Sequence, residues 1–320
     1  MLLLGLALAS APLSAQAPSE PPREVPTFGT GTELVYVRFH VEKKGRYLRS
    51  VTRDQIRVLE DGQPQEIVLL ETPATRERTV PPEVTLALDV SSSVMEEGLL
   101  DEALVKEVLF ATLGDQARVG LCAFGGELRC PTPPTRDPET LLEGLREAIR
   151  FGHETRHRGT RLYASLADIS RKAAEGEKSQ RAVIVFSDGL DTEGGKMDDA
   201  VEAAQAADVR VYTVALSQAF MATARGARPF GMANRTMYDY KKLEFGQMAE
   251  ETGGRGYEPA TLDPKSLSKV LTNIATEIST ENVVGYQPKG APTGRKHKVK
   301  VELVDKSIGR IDDGERTLVR

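Results

Sequence analysis

From Val84 onward the chain alternates short apolar runs with stretches of helical period, and two of those runs stop on an aspartate. "VTLALD" ends at Asp89 and "VIVFSD" ends at Asp188. An apolar run of five or six residues reads as a strand buried on both faces, which is the habit of parallel strands covered by crossover helices. The repeated strand–helix alternation demands crossover connections, because parallel neighbours cannot be joined by a tight turn. The expected fold class is therefore α/β, a doubly wound, mostly parallel sheet. Strands are expected at Val84–Asp89, Ala117–Phe124, Ala182–Ser187 and Val209–Leu216. Helices are expected at about Gly98–Leu113, Pro138–Arg150 (with Asp137 as its cap), Leu162–Ala174, Met197–Ala207, Leu243–Thr252 and Pro264–Ser279. "FGHETRHRGT" between the second and third of these helices reads as a loop.

The flanks have another character. "ELVYVRFHVEKKGRYLRS" alternates apolar and polar residues and turns at Lys44-Gly45, and "IRVLEDGQPQEIVLLE" is a hairpin with Asp61-Gly62 as its turn. The tail returns to strand patterns in "NVVGYQP", "HKVKVELVD" and "RTLVR". Isolated hairpins are barely stable in water, so the tail is expected to complete a small β domain with the first hairpins. The resulting division is a signal peptide at 1–17, a linker at 18–32, a β segment at 33–75, the α/β domain at 82–280 and a C-terminal β segment at 281–320. The leader has an apolar stretch, Leu2–Ala11, and a small-residue exit at Ala15-Gln16-Ala17, but no basic residue ahead of the stretch. That stretch is too short to span a bilayer. An exported protein, periplasmic or extracellular, with no transmembrane segment in the mature chain, is expected.

Cys122 and Cys130 are the only cysteines. If Gly125, Gly126 and Glu127 form a three-residue hairpin loop, the two face each other on paired strands and can bridge. A two-residue Gly-Gly turn would put them on opposite faces. The bridge and a pair of unlinked core thiols are left as equal alternatives. The hairpin return would also make one antiparallel strand beside the parallel ones.

In open α/β sheets ligands bind beyond the C-terminal strand ends, where strand order reverses. Asp89 and Asp188 occupy such ends. Ser91 and Ser93 follow Asp89 at a spacing of two, and Thr160 lies in the loop "RGTRL" before a helix. Two carboxylates and three hydroxyls are hard oxygen donors, unsuited to soft metals. They suit Mg²⁺, with Mn²⁺ or Ca²⁺ as alternatives, and they leave a coordination position for an anionic oxygen from outside. Helix capping would explain one serine but not the set.

"LALDVSSSV", Thr160 in "RGTRLYASL" and "VIVFSDGLDT" resemble the von Willebrand factor type A (VWA) domain and its metal-ion-dependent adhesion site. "VRVYTVAL" and "AEETGGRGY" resemble that domain's last strand region, and residues 37–67 resemble a strand segment preceding it in exported bacterial proteins. The resemblance covers about residues 82–280. It implies a Rossmann-like sheet with the metal at its top, hydroxyl ligation by Ser91, Ser93 and Thr160, and binding by Asp89 and Asp188 directly or through water. It also implies a binding function in which a protein partner supplies an Asp or Glu carboxylate. Residues 217–241 are longer than a simple connection. Arg225, Arg228 and Arg235 there are candidate partner contacts, against a mobile insertion as the bland alternative. Residues near Met95, His157 and Asp191 are candidates for the rim, with Asp191 and Glu193 also readable as solvated residues leading into a helix.

The bulk numbers exclude other classes. A net charge of −5 with scattered basic residues gives no nucleic-acid footprint. Ser91 stands where an aspartyl-phosphate enzyme would need its second carboxylate, and no glycine-flanked nucleophile elbow occurs. Among the four histidines, His153 and His157 share the loop and read as solvated. No enzyme activity is expected. The competing readings are a structural cell-envelope protein whose metal only stabilises the sheet top, and a metal-dependent hydrolase.

Overall fold

Among the described residues, eight antiparallel strands and a six-stranded α/β layer share one chain, and the second is inserted between two neighbouring strands of the first. The structure is a computed structural model. It describes residues 34–75, 81–95, 117–155, 159–175, 180–216, 244–259, 261, 263–289 and 294–319. The leader and first linker, the helix expected at 98–113, His157, and segment 217–241 with Arg225, Arg228 and Arg235 lie outside the described residues.

The α/β layer contains β5 (Glu83–Asp89), β6 (Arg118–Phe124), β7 (Leu128–Thr135), β8 (Arg181–Ser187), β9 (Val209–Ala215) and β10 (Gly256–Tyr257). Their order is β10-β9-β8-β5-β6-β7. All neighbours are parallel except β6 and β7, so β7 is the single antiparallel edge strand. Side chains alternate between the two faces, as the two-residue strand period requires. Val84, Leu86 and Leu88 of β5 join one core cluster with Ile184, Tyr212 and Val214, while Ala87 joins the other with Val183, Val185 and Val211.

Helices cover both faces. A short turn of helix, α1 (Ser92–Met95), follows β5. Helix α2 (Pro138–Thr155) buries Leu145, Ala148 and Phe151 in the first cluster, and α6 (Pro264–Thr280) adds Leu271 and Ile274. On the opposite face α3 (Leu162–Ala174) and α4 (Met197–Ala206) contribute Leu166, Ile169 and Ala204, and α5 (residues 244–251) contributes Phe245 and Met248. Each large apolar side chain fully removed from water is worth roughly 1.5–3 kcal/mol.

Asp137 caps α2 as expected, accepting from the amides of Glu139 and Thr140, both at 3.3 Å. The far end of α2 corrects the sequence reading. Residues 151–155, expected as loop, continue the helix, because Phe151 is buried and the Thr155 hydroxyl donates to the Phe151 carbonyl. Gly152 lets this end lie against the β5 loop: a Cβ there would stand 2.9 Å from both Val90 Cβ and Met95 Sδ. Strand β10 was not expected either, since two residues carry no period.

The antiparallel sheet contains β1 (Val35–Lys43), β2 (Arg46–Tyr47), β3 (Ile56–Glu60), β4 (Gln63–Glu71), β11 (Asn282–Gln287), β12 (Lys296–Leu303), β13 (Arg310–Asp312) and β14 (Glu315–Val319). The order is β13-β1-β11-β4-β3-β12-β14, with β2 on β1. Only Asp313 and Gly314 separate β13 from β14, although these strands stand at opposite ends of the order. Two residues reach only a few ångströms, so the sheet curls until its ends meet. It encloses Val37, Phe39, Val58, Tyr286, Val299 and Val301.

Chain entry to and exit from the α/β layer are adjacent, with Glu71 of β4 opposite Val283 of β11. Buried charges bind the two sheets. Glu281, between α6 and β11, pairs with Arg210 of β9 at 2.6 Å and with Arg38 of β1 at 3.2 Å. Burial works against its charged form, but Arg210, Arg38 and His40 together hold its carboxyl below the ordinary range. The described residues, from Leu34 onward, form one compact unit.

Candidate metal centre

Strand order reverses beside β5, whose neighbours are β6 on one side and β8 on the other. The C-terminal ends of β5 and β8 therefore open on the crevice where α/β sheets hold ligands. Asp89, the last residue of β5, is fully buried, and Asp188, just past β8, is nearly so.

A chain of hydrogen bonds links the two strand ends. The Ser91 amide donates to Asp89 Oδ1 at 2.9 Å. The Ser91 and Ser93 hydroxyls lie 3.2 Å apart, and Ser93 Oγ donates to Asp188 Oδ2 at 2.9 Å. The opposite side of Asp89 is held by Ser187, whose Oγ donates to Oδ2 at 2.6 Å and accepts from the Gly189 amide at 3.1 Å. The Leu190 amide donates to Asp188 Oδ1 at 3.0 Å. Four of the five residues singled out in the sequence thus form one connected cluster.

Thr160, the fifth, is buried in the loop ahead of α3. Its loop is tied to the same edge through the β6–β7 hairpin tip. The Arg161 amide donates to the Gly125 carbonyl at 2.9 Å, and the Val90 amide donates to the Phe124 carbonyl at 2.8 Å. A Cβ on Gly125 would come within 4.0 Å of the Ser91 amide. One hairpin tip therefore fixes the backbone beside Ser91 and the backbone beside Thr160. The tip is the three-residue loop 125–127, since Phe124 pairs with Leu128, and Cys122 and Cys130 form a disulfide below it.

Sequence reasoning passed over Ser187. Its signal was a hydroxyl in a continuous apolar run, which in a strand buried on both faces demands a partner. Asp191 also differs from its reading as a solvated or rim residue. It is half-buried and accepts three amides, from Tyr163, Glu193 and Gly195, each at 3.0 Å.

The electrostatics are those of a site short of positive charge. Burial, then the Asp188 charge, push the Asp89 carboxyl well above the ordinary range, against the hydrogen bonds from Ser187 and Ser91. Burial likewise raises Asp188, against those from Leu190 and Ser93. Among the described residues, no basic side chain is one of the main groups acting on either carboxyl. Two buried carboxylates without a cationic partner are costly, and a divalent cation relieves that cost. The donors present fit such an ion: Asp89, Ser91, Ser93, Thr160 and Asp188 would hold it, with oxygen atoms throughout.

Another ligand-type group, Glu60, Asp61 and His297, lies in the antiparallel sheet. There the imidazole Nδ1 is 2.8 Å from Asp61 and 3.2 Å from Glu60, so the three already satisfy one another. Sequence reading had not grouped them, since they meet only through the β3–β12 pairing.

A doubly wound layer with acidic and hydroxyl groups gathered at its strand-order reversal defines an α/β domain with a candidate ligand site at that end. The particular family is established by residues 83–235, which match the von Willebrand factor type A domain, and the chain carries a domain of that family. Among solved structures, BatB from Bacteroides thetaiotaomicron is 21% identical, with 62% of this chain and 99% of that one covered and a TM-score of 0.43. A von Willebrand factor type A protein from Catenulispora acidiphila is 12% identical, covering 91% of this chain and 74% of that one, also at 0.43. Proximal thread matrix protein 1 of the mussel byssus, with its adhesion motif occupied by zinc, is 19% identical, covering 62% of this chain and 48% of that one, again at 0.43. No curated protein matches the chain. Among the described residues no helix is long and apolar enough to cross a membrane.

Proposed function

We propose that this chain is an exported binding protein whose VWA domain holds a divalent cation, Mg²⁺ in the first instance, and captures a protein partner through an Asp or Glu carboxylate. Domains of this family serve protein interactions. The reading is carried by the unbroken path from Asp89 through Ser91 and Ser93 to Asp188, in which two buried carboxylates have no basic partner among the described residues. Neutral hydroxyls from Ser91, Ser93 and Thr160 leave much of the cation's charge unquenched, which favours an anionic sixth ligand. One metal bond does not give specificity, so the partner must also match about 1,000 Å² or more of surrounding surface. We hold the domain to be non-catalytic: the bases that the Ser91 and Ser93 hydroxyls reach are Asp89 and Asp188, and on this reading both carboxylates are committed to the cation. Export is supported by the apolar leader and by the disulfide that takes up both cysteines, since such bonds persist in oxidising compartments.

The test is capture from an envelope extract with Mg²⁺, with Mn²⁺, Ca²⁺ or Zn²⁺ in its place, and with chelator, using the wild-type chain and Asp89→Ala. Capture that requires the cation and Asp89 supports adhesion. Cation binding without cation-dependent capture would instead favour a purely stabilising metal, and capture that survives both chelator and Asp89→Ala would refute the proposal.

A further inference from the structure

We infer that Thr192 is a positioning residue for the cation site, locking the Thr160 loop to the Asp188 loop; the inference rests on the cation reading above. Thr160 must present its hydroxyl from a loop that shares no strand with either carboxylate. A reciprocal pair of hydrogen bonds holds that loop in place. The Thr160 amide donates to Thr192 Oγ1 at 2.7 Å, and the Thr192 amide donates to the Thr160 carbonyl at 2.9 Å. Thr192 lies four residues after Asp188 on the loop that leaves β8.

Two neighbours make the lock stiff. Asp191 takes the role of helix cap for α3 from outside that helix, since Arg161 at the cap position makes no side-chain cap bond and Asp191 Oδ2 accepts the Tyr163 amide. Its Oδ1 holds the amides of Glu193 and Gly195, so the segment carrying Thr192 is folded around one carboxylate. Gly159 permits the close approach. A Cβ there would lie 2.7 Å from Thr192 Oγ1 and 2.0 Å from Glu193 Oε1. Thr192 itself is exposed, while Thr160 is buried. Losing the hydroxyl thus costs little packing, and the part-buried Thr160 amide, released from Thr192, can turn to water as its loop shifts. The effect falls on where Thr160 sits, not on whether the domain folds.

The experiment is Mn²⁺ titration of the full chain, read by the manganese electron paramagnetic resonance signal, with thermal melting of the chelated protein alongside. Thr192→Val keeps the shape and removes the hydroxyl, and Thr192→Ser restores it. Mn²⁺ binding by Thr192→Val is expected to weaken about threefold to tenfold, the worth of one hydrogen bond. Thr192→Ser should bind within twofold of wild type, and the chelated melting temperatures of all three should coincide. If Thr192→Val binds like wild type while Asp89→Ala loses Mn²⁺, the lock is refuted and the cation site stands. The lock is also refuted if Thr192→Ser is as weak as Thr192→Val, or if weakened binding tracks a lowered chelated melting temperature. If Asp89→Ala binds Mn²⁺ like wild type, the cation reading falls and the inference with it.

Discussion

Ser93 Oγ donates a 2.9 Å hydrogen bond to Asp188 Oδ2, joining residues 95 positions apart in the chain. With the Ser187–Asp89 bond it ties the ends of β5 and β8 together at the crest. It also makes the first prediction specific, because the carboxylate it serves is one of two buried negative charges in the same crevice.

Replacing Asp89 by Asn removes one of those charges and keeps the shape. In chelator at pH 8 the variant should melt at or above the wild-type temperature, since a desolvated carboxylate beside another is unfavourable. Added Mg²⁺ should raise the wild-type melting temperature, by the equivalent of about 2.7 kcal/mol at a hundredfold excess over its dissociation constant, and should leave Asp89→Asn unchanged. A variant that melts below wild type in chelator would show that the two carboxylates do not repel across the crevice.

Ser187→Ala withdraws the hydroxyl that donates to Asp89 Oδ2 at 2.6 Å and leaves the amide of Gly189 without its acceptor. A buried hydrogen bond to a charged group is worth about 1.5–3 kcal/mol. Isothermal titration with Mg²⁺ or Mn²⁺ should therefore show binding weakened about tenfold or more. Unchanged affinity would mean that Ser187 only fills space.

Glu281→Gln should be the most damaging substitution outside the crest. It leaves Arg210, buried in the sheet interface, without its charge partner, a loss of about 3–5 kcal/mol. The pH dependence has a definite sign. The Glu281 carboxyl is held below its ordinary value, so the unfolded chain binds the proton more readily. The stabilisation is fully present above the unfolded value of about 4.5 and is lost as pH falls below it through the folded value. Urea unfolding between pH 6 and pH 3 should show this loss in the wild type and a weaker slope in Glu281→Gln.

Reduction of Cys122–Cys130 opens a short loop, whose closure is worth roughly 2–3 kcal/mol in chain entropy. The same hairpin tip anchors the backbones beside Ser91 and Thr160. The Cys122→Ser/Cys130→Ser double variant should melt lower than wild type and bind Mn²⁺ more weakly. Equal Mn²⁺ affinity would show that the tip holds its place without the bridge.

The sequence carried the crest well because its residues are punctuation in an otherwise apolar text: a carboxylate that ends a buried strand has few uses. Leu162–Ala174 was legible to the residue, since its apolar period is unbroken. What escaped depends on neighbours distant in the chain. Gly152 looks like a helix breaker until Val90 and Met95 are seen beside it. Asp191 and Thr192 look like solvated loop residues until their acceptor atoms meet the amides of Tyr163 and Thr160. The two-residue β10 and three-residue β13 are too short to leave a pattern, and the sheet pairing alone defines them.

Because Glu71 and Val283 face each other across one ladder, the VWA domain hangs from the antiparallel sheet like a pendant on a closed ring. Tension drawn along the flanking strands would be shared by the rungs of that ring and would bypass the crest. If a partner is captured at the crest as proposed, its load would travel the other way, down β5 and β8 towards the Arg210–Glu281–Arg38 clasp, and that clasp would help to resist it.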